Sequence, residues 1–320
     1  MREERESFGR RWRVLALAAA LIGFVFGPVS RTAQAANGTV VIYASQDEVY
    51  AEPILKGFER ETGIRVLPNF DSEAVKTVGL ANRLLAERSH TQCDVFWSNE
   101  ELRTRQLAAA GLFRATNGWA AIGFRSRRVV INTARVPTGE APTSLQDLAG
   151  PKWKGKVAVA YPLFGTTATH FLALRQQWGE ARWQAWCRAL AANKPYLVDG
   201  NSVVVKLVGS GEALVGLTDS DDIADGQREG LPIAPLPMTD DTLLIPNTVA
   251  VLRDAPHAGA AQRLFDYLQR PATRAALVAA KALEAEASPP AAKAGLHPRW
   301  DDLLRDLETG TATLKEIFLR

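Results

Sequence analysis

Four aspartates, Asp219, Asp221, Asp222 and Asp225, fall within seven residues of the stretch "VGLTDSDDIADG". Carboxylates this dense can hold a hard cation through oxygen, or they can mark the start of a helix, whose exposed N–H groups favour negative charge. As a calcium loop the stretch fails. With Asp219 and Asp221 at positions one and three, Ile223 stands at five, Ala224 at the glycine position six and Gly230 at the glutamate position twelve. As a helix start it succeeds, with Thr218 or Ser220 as the cap and Asp221 and Asp222 in the first turn. Asp219 and Asp222 keep a second reading as groups that touch a ligand, because the loop ends the apolar, strand-like run "ALVGLTD".

"FGTTATH" (Phe164 to His170) is the other chemically able loop. Gly165, Thr166 and Thr167 open a helix, so backbone N–H groups and hydroxyls face whatever precedes it, a setting for phosphate, carboxylate or carbonate. The competing reading is an ordinary threonine cap. In "DGNSVVV", Asn201 and Ser202 stand ahead of an apolar stretch, and Asn247 reads as a strand-end hydrogen bond. Tyr43 and Trp97 follow the apolar pattern of their strands and read as core or cleft wall.

Enzyme motifs fail one by one. "GPKWKGKV" copies the spacing of a phosphate-binding loop, yet Val157 replaces its magnesium-binding hydroxyl and Pro151 spoils its turn. No G-x-S-x-G elbow occurs. His90, His170, His257 and His297 are scattered without metal spacing and read as surface residues.

The elements that must position these loops alternate short apolar runs with amphipathic stretches, the mark of βαβ units and a largely parallel sheet. "GTVVIYAS", "IRVLPNF" and "CDVFWS" read as strands, each followed by a helix. "RRVVINTARV" (127–136) and "TLLIPNTVAVL" (242–252) read as crossings between two α/β lobes. Between them lies a second block, "KVAVAYP", "TATHFLALRQQWG", "ARWQAWCRALAAN" and "ALVGLTD"; helices "HAGAAQRLFDYLQR" and "PATRAALVAAKALEAEAS" follow, then an Ala/Pro-rich joint at 288–292 and a terminal helix "DDLLRDLETG". The pattern implies a cleft between the lobes at the C-terminal ends of the strands.

Residues 1–35 read as a cleavable export signal: arginines, the uncharged run "VLALAAALIGFVFGPV", then "AQA" at 33–35. The leader holds six Arg and three Glu, which leaves 32 basic and 32 acidic residues in the remainder. A neutral folded part argues against a nucleic-acid binder. Cys93 lies in a strand-like run and Cys187 in a helix-like one, and they read as two separately buried thiols.

Four blocks, "VVIYASQDEVYAEPILKGFERETGIRV", "CDVFWSNEELRTRQLAAAGLF", "TSLQDLAGPKWKGKVAVAYP" and "NTVAVLRDAPHAGAAQRLFDYL", follow one another as in periplasmic solute-binding proteins of ABC importers. The closest likeness is to the ferric-ion-binding group and covers nearly all of Gly38 to Leu319. The resemblance implies an α/β, type II, two-lobed fold with two hinge strands and a central cleft: leader 1–35, lobe 1 at 36–130 plus 250–288, lobe 2 at 131–249 plus 289–320. It implies a periplasmic monomer without catalytic activity, which closes on one small solute and passes it to an inner-membrane ABC permease and its ATPase. The implied cargo is a hard cation such as ferric iron with a companion anion.

Residue by residue, the resemblance places Ser45, Gln46 and Asp47 after strand one, where relatives carry a histidine or tyrosine ligand, and Ser98 and Asn99 after strand three, where some use glutamate. Gly165, Thr166 and Thr167 match the anion loop, and Asn201 a cleft asparagine. Thr218, Asp219 and Ser220 stand where the adjacent tyrosines that supply phenolates to iron should be, and Asp222 follows. Without those tyrosines the expected metal ligands are Asp47 and Asp219, and the protein is expected to be colourless even when iron binds. A polar organic solute or an oxyanion is the alternative cargo, and a secreted enzyme on the same fold the third reading.

Overall fold

A computed structural model describes residues 38–70, 76–285 and 295–319. The export leader and the Ala/Pro joint therefore lie outside the described residues. In chain order the elements are β1 (Thr39–Ala44), α1 (Glu48–Thr62), β2 (Arg65–Phe70), α2 (Lys76–Ala86), β3 (Val95–Ser98), α3 (Glu101–Ala109), β4 (Trp119–Asn132), β5 (Val157–Ala160), α4 (Gly165–Trp178), α5 (Glu180–Ala192), β6 (Tyr196–Val198), α6 (Asn201–Ser210), β7 (Val215–Asp219), α7 (Ser220–Arg228), β8 (Ile233–Pro235), β9 (Leu244–Val251), α8 (Ala258–Gln269), α9 (Pro271–Ala279) and α10 (Trp300–Phe318).

The strands join in the order β2-β1-β3-β9-β4-β7-β5-β6, with β8 beside β4. Two three-stranded parallel groups, β2-β1-β3 and β7-β5-β6, flank a centre in which β9 and β4 run antiparallel to their neighbours. Parallel strands need a crossover element, and helices supply it in both halves. Separate apolar cores form on this frame. Val40, Ile42, Phe58, Val95, Val249 and Leu264 pack in one half, and Val157, Val159, Phe171, Trp183, Leu217 and Leu314 in the other.

The crossing strand is longer than its β-branched run predicts. β4 starts at Trp119, eight residues before Arg127, and pairs first with β9 (Trp119 to Ser126) and then with β7 (Arg127 to Ile131). "WAAIGFRS" lacks β-branched alternation, so local pattern misses it; partner strands on both sides hold it extended. A register shift at Ala121/Gly123 bends the strand, and Gly123 has φ +154°, where an added Cβ would meet the Ala285 carbonyl oxygen at 2.6 Å. The three-residue strands β6 and β8 have no sequence signature of their own.

α10 continues eight residues beyond the predicted "DDLLRDLETG", and its buried Leu303, Leu307, Gly310, Leu314 and Phe318 recur every three or four residues on one face. Phe318 meets Phe171 of α4 with ring centroids 5.9 Å apart. Cys93 and Cys187 are buried and unpaired, as their separate positions predict. His170 departs from its surface reading: it is 1% exposed, its Nε2 lies 2.7 Å from the Asp241 carbonyl, and burial lowers its pKa to about 3, so it is neutral. No helix among the described residues is long and apolar enough to cross a membrane.

Candidate functional site

The ends of β1, β3, β5 and β7, each followed directly by a loop or helix, come together beside the middle of β4. Ser45, Gln46, Ser98, Asn99, Thr166, Thr167, Thr218 and Asp219 are all buried there. Ser45 Oγ accepts from the Asn99 backbone N–H at 2.9 Å and donates to Asn99 Oδ1 at 3.2 Å, tying the first strand end to the third. Asn247 of β9 donates to Gln46 Oε1 at 2.6 Å, which leaves the Gln46 Nε2 donor and the Asn247 Oδ1 acceptor buried without partners. Ser98 Oγ donates to the Glu100 carbonyl at 2.7 Å and helps shape the start of α3.

Asp219 is the centre of the second group. Arg127, its register partner across β4 and β7, donates from Nη1 to Asp219 Oδ1 at 2.7 Å and to Asn201 Oδ1 at 2.8 Å. On Asp219 Oδ2 converge Thr166 Oγ1 at 2.8 Å, Asn201 Nδ2 at 3.1 Å and the Arg125 guanidinium at 3.0 Å. Arg125 also pairs with Asp221 Oδ2 and donates to the Asn99 carbonyl at 3.3 Å, which links the two groups of residues. Thr218 Oγ1 donates to the Asn201 carbonyl at 3.1 Å, at the opening of α6. The structure thus brings Thr166, Asn201, Thr218 and Asp219 into one network, and joins Ser45 and Asn99 to it through Arg125.

Both arginines are about as buried as the acids they meet: Arg125 is 2% exposed, Arg127 1%, Asp219 and Asp221 0%. Removing such charges from water is costly, and only close pairing and further hydrogen bonds offset it. The consequences for the carboxyls differ. Burial alone would raise Asp219, but Arg125 and Arg127 outweigh it and hold that carboxyl below its ordinary value. Asp221 is pushed up to about 7: burial raises it most, Asp219 and Asp47 add to the rise, and Arg125 alone opposes them by charge and hydrogen bond. Asp222, half-buried, is raised well above its ordinary value by burial and by Asp221, Asp47 and Asp219.

Ligand oxygens of Asp219, Asp221 and Asp222 lie within 4.8 Å of one another. The capping expectation needs correction. Asp219 is the N-cap residue of α7 and makes no side-chain cap bond, Thr218 is turned to Asn201, and Ser220 Oγ accepts from the Ser126 N–H at 3.2 Å. Asp221 and Asp222 do fall in the first turn of α7, as expected, with Asp221 fully buried against Arg125 and its Oδ1 unpartnered.

Helix starts add to the field. α1, α4, α6 and α7 all begin here, and none of their N-cap residues makes a side-chain cap bond. Asp47 is the N-cap residue of α1, half-buried and near enough to act on Asp221. Gly165 opens α4 with φ +52°, a left-handed conformation that favours glycine.

Sequence reasoning missed Arg125, Arg127 and Tyr50. The arginines had a signal, since "GFRSRRVVIN" sets three of them in an apolar strand, and a buried arginine requires an acid partner. Tyr50 had none. Its OH donates to the Asp221 carbonyl at 3.0 Å and accepts from Arg228 at 2.8 Å, and burial raises its phenol well above the ordinary value, so it is no ready phenolate.

Comparison with known proteins agrees with this architecture. The profile of the family described as bacterial extracellular solute-binding protein matches residues 39–280. The chain belongs to that family. A "Fe(3+)-binding periplasmic protein" of Serratia marcescens is 33% identical over 221 residues, 63% of this chain and 62% of the relative. A "Major ferric iron-binding protein" of Neisseria meningitidis is 29% identical over 54% of this chain and 56% of its own length. The chain thus spans about three fifths of the length of the curated relatives it matches.

Among solved structures, iron-bound HitA from Pseudomonas aeruginosa superposes with a TM-score of 0.76 at 20% identity, over 88% of this chain and 99% of that one. The periplasmic binding protein AfuA from Actinobacillus pleuropneumoniae, solved with exogenous fructose-6-phosphate bound, gives 0.70 at 20% identity, over 89% and 97%. The fold is therefore the two-lobed periplasmic-binding-protein fold, and the characterised members of this group are binding proteins.

Proposed function

We propose that this protein is exported to the periplasm and is the solute-binding component of an ABC importer, with a ferric ion or similar hard cation, held with a companion anion, as its cargo. The observation that carries the reading is the state of Asp221 and Asp222. Asp47, Asp219, Asp221 and Asp222 set four carboxylates against two guanidiniums, and Asp221 Oδ1 is a buried acceptor without a partner. Carboxyls raised by burial and mutual repulsion are stabilised in their charged form by a cation, and oxygen donors suit a hard one.

In this reading Asp221 and Asp222, with Asp47 at the start of α1, face the cation. Asp219, with both oxygens engaged, acts through Arg125 and Arg127 instead of as a metal ligand. The companion anion lies at the uncapped first turn of α4, with Thr166 and Thr167, near Arg127. The lobes are those expected from the sequence, and they close about β4 and β9; Gln46, Asn99 and Asn247 line the closing surfaces. The protein works as a monomer, docks on a permease with its ATPase, and performs no catalysis.

One observation favours a second cargo. Every oxygen of Asp219 is occupied, and two buried arginines beside an uncapped helix start also suit a phosphorylated or carboxylated organic solute, the kind of ligand bound by AfuA. Calorimetric titration of the metal-free protein with ferric citrate, divalent metals, citrate and a sugar phosphate separates the two. Heat from the ferric complex, with none from citrate alone, supports the cation; heat from sugar phosphate alone moves the cargo to the anion.

A further inference from the structure

The two faces of β4 carry their arginines differently. Arg125 and Arg127 lie on the face of the Asp219 network, paired with Asp219 and Asp221. Strand alternation sends Ser126 and Arg128 to the opposite face, where Ser126 Oγ donates to Glu284 at 2.8 Å. There a groove of about 870 Å3 opens between the start of α1, the length of α7 and the turn that follows α9. Its apolar walls are Val49, the Tyr50 ring, Ile223, Pro235, Val278 and Leu283. Arg128, Arg228 and Lys281 line it against a single acid, Glu284.

The cations are not equivalent. Arg228 is engaged, donating to Asp225, Tyr50 and the Ala280 carbonyl and lying 5.2 Å over the Tyr50 ring. Arg128 has no acceptor among the described residues, although it is half-buried and its Nε is sealed from water. Lys281 has none either, and its backbone is in the left-handed region at φ +68°. It ends α9 with its N–H on the Val278 carbonyl and the Ala282 N–H on the Leu277 carbonyl, a helix end at which glycine is the favoured residue. A lysine there costs backbone strain and places a charge at the groove.

We propose that this groove is a second binding site, for a small organic anion with an apolar body, a carboxylate or phosphomonoester whose head bridges Arg128 and Lys281 while its body lies on Tyr50, Ile223 and Leu283. The volume falls in the range of small-molecule sites, and mostly apolar walls with a few polar groups are their usual lining. The site lies on the other side of β4 from the Asp219 network, with Tyr50 bordering both, and stands whatever cargo that network holds. Because α1 and the α9 turn pack with one core and α7 with another, an occupant links the two halves of the molecule.

The test is calorimetric titration of the purified protein with phenyl phosphate and phenylacetate, with inorganic phosphate and phenethylamine as controls. The aromatic anions are expected to bind in one-to-one ratio, and phenethylamine not at all. Arg128→Gln is expected to weaken them about tenfold or more, the loss of one charge-assisted contact. Lys281→Gly is expected to weaken them by a similar factor while raising the melting temperature, because it relieves the left-handed residue. Thr166→Val and Asp222→Asn, in the other site, are expected to leave them unchanged. Should Arg128→Gln fail to fold, Lys281→Gly alone decides. The proposal is overturned by absence of binding, by equal binding of phenethylamine, or by binding that is lost in Thr166→Val or Asp222→Asn and kept in Lys281→Gly.

Discussion

Asp219 and Asp221 are two residues apart, equally buried, and both in reach of Arg125, yet their carboxyls move in opposite directions. Asp219 ends β7 opposite Arg127 and collects two guanidiniums, a hydroxyl and an amide. Asp221 sits in the first turn of α7, shares one arginine, and faces other carboxylates. Burial by itself therefore says little about an acid; the partners decide whether it is a structural anion or a group waiting for a cation.

The largest effect expected from this contrast is on stability. Asp219→Asn leaves Arg125 and Arg127 buried with too little negative charge and is expected to cost about 3–5 kcal/mol in urea denaturation at neutral pH. A loss no larger than that of an ordinary surface change would break the comparison. Thr166→Val removes one of several donors to Asp219 and is expected to cost about 1 kcal/mol. Asp221→Asn is expected to cost less still at pH 7, because the carboxyl it replaces is already close to its midpoint there.

The pH dependence sharpens the same contrast. Asp219 is held below its ordinary value, so its contribution is present above the usual carboxylate range and is lost as pH falls through its lowered pKa. Asp221 is raised from 3.8 to about 7, so the unfolded chain gives up its proton first, and the stability it contributes at low pH is lost as pH rises from about 4 to about 7. Stability across that window should slope downward in the parent protein and less steeply in Asp221→Asn, where the raised Asp222 still contributes. An unchanged slope would assign the titration to another group.

Much of the fold was legible because strands and helices alternate with clear apolar periods and because four blocks follow the order of a known family. β4 was legible only from Arg127 on, since "WAAIGFRS" is held extended by β9 and not by its own propensity. The site was legible in its neutral residues, Ser45, Asn99, Thr166 and Asn201, which lie at loop positions next to strand ends. Its charges were not. Arg125 and Arg127 acquire their role through pairing across strands, and Tyr50 reaches Asp221 from an element 171 residues away in sequence. Local preference placed Asp221 correctly in the first turn of α7 but gave the cap to Thr218 or Ser220, which tertiary partners engage elsewhere, and it did not foresee the burial of Asp221 against Arg125.

The central claim is that Asp221 and Asp222 receive a hard cation without phenolate ligands. Titration of the metal-free protein with ferric citrate, followed by proton release in weakly buffered solution and by visible absorbance, tests it most directly. The account predicts saturable uptake with protons released near pH 6, uptake lost in Asp221→Asn combined with Asp222→Asn, and no intense visible band of phenolate type. Uptake that releases no protons and survives the double substitution, or an intense visible band, would contradict it.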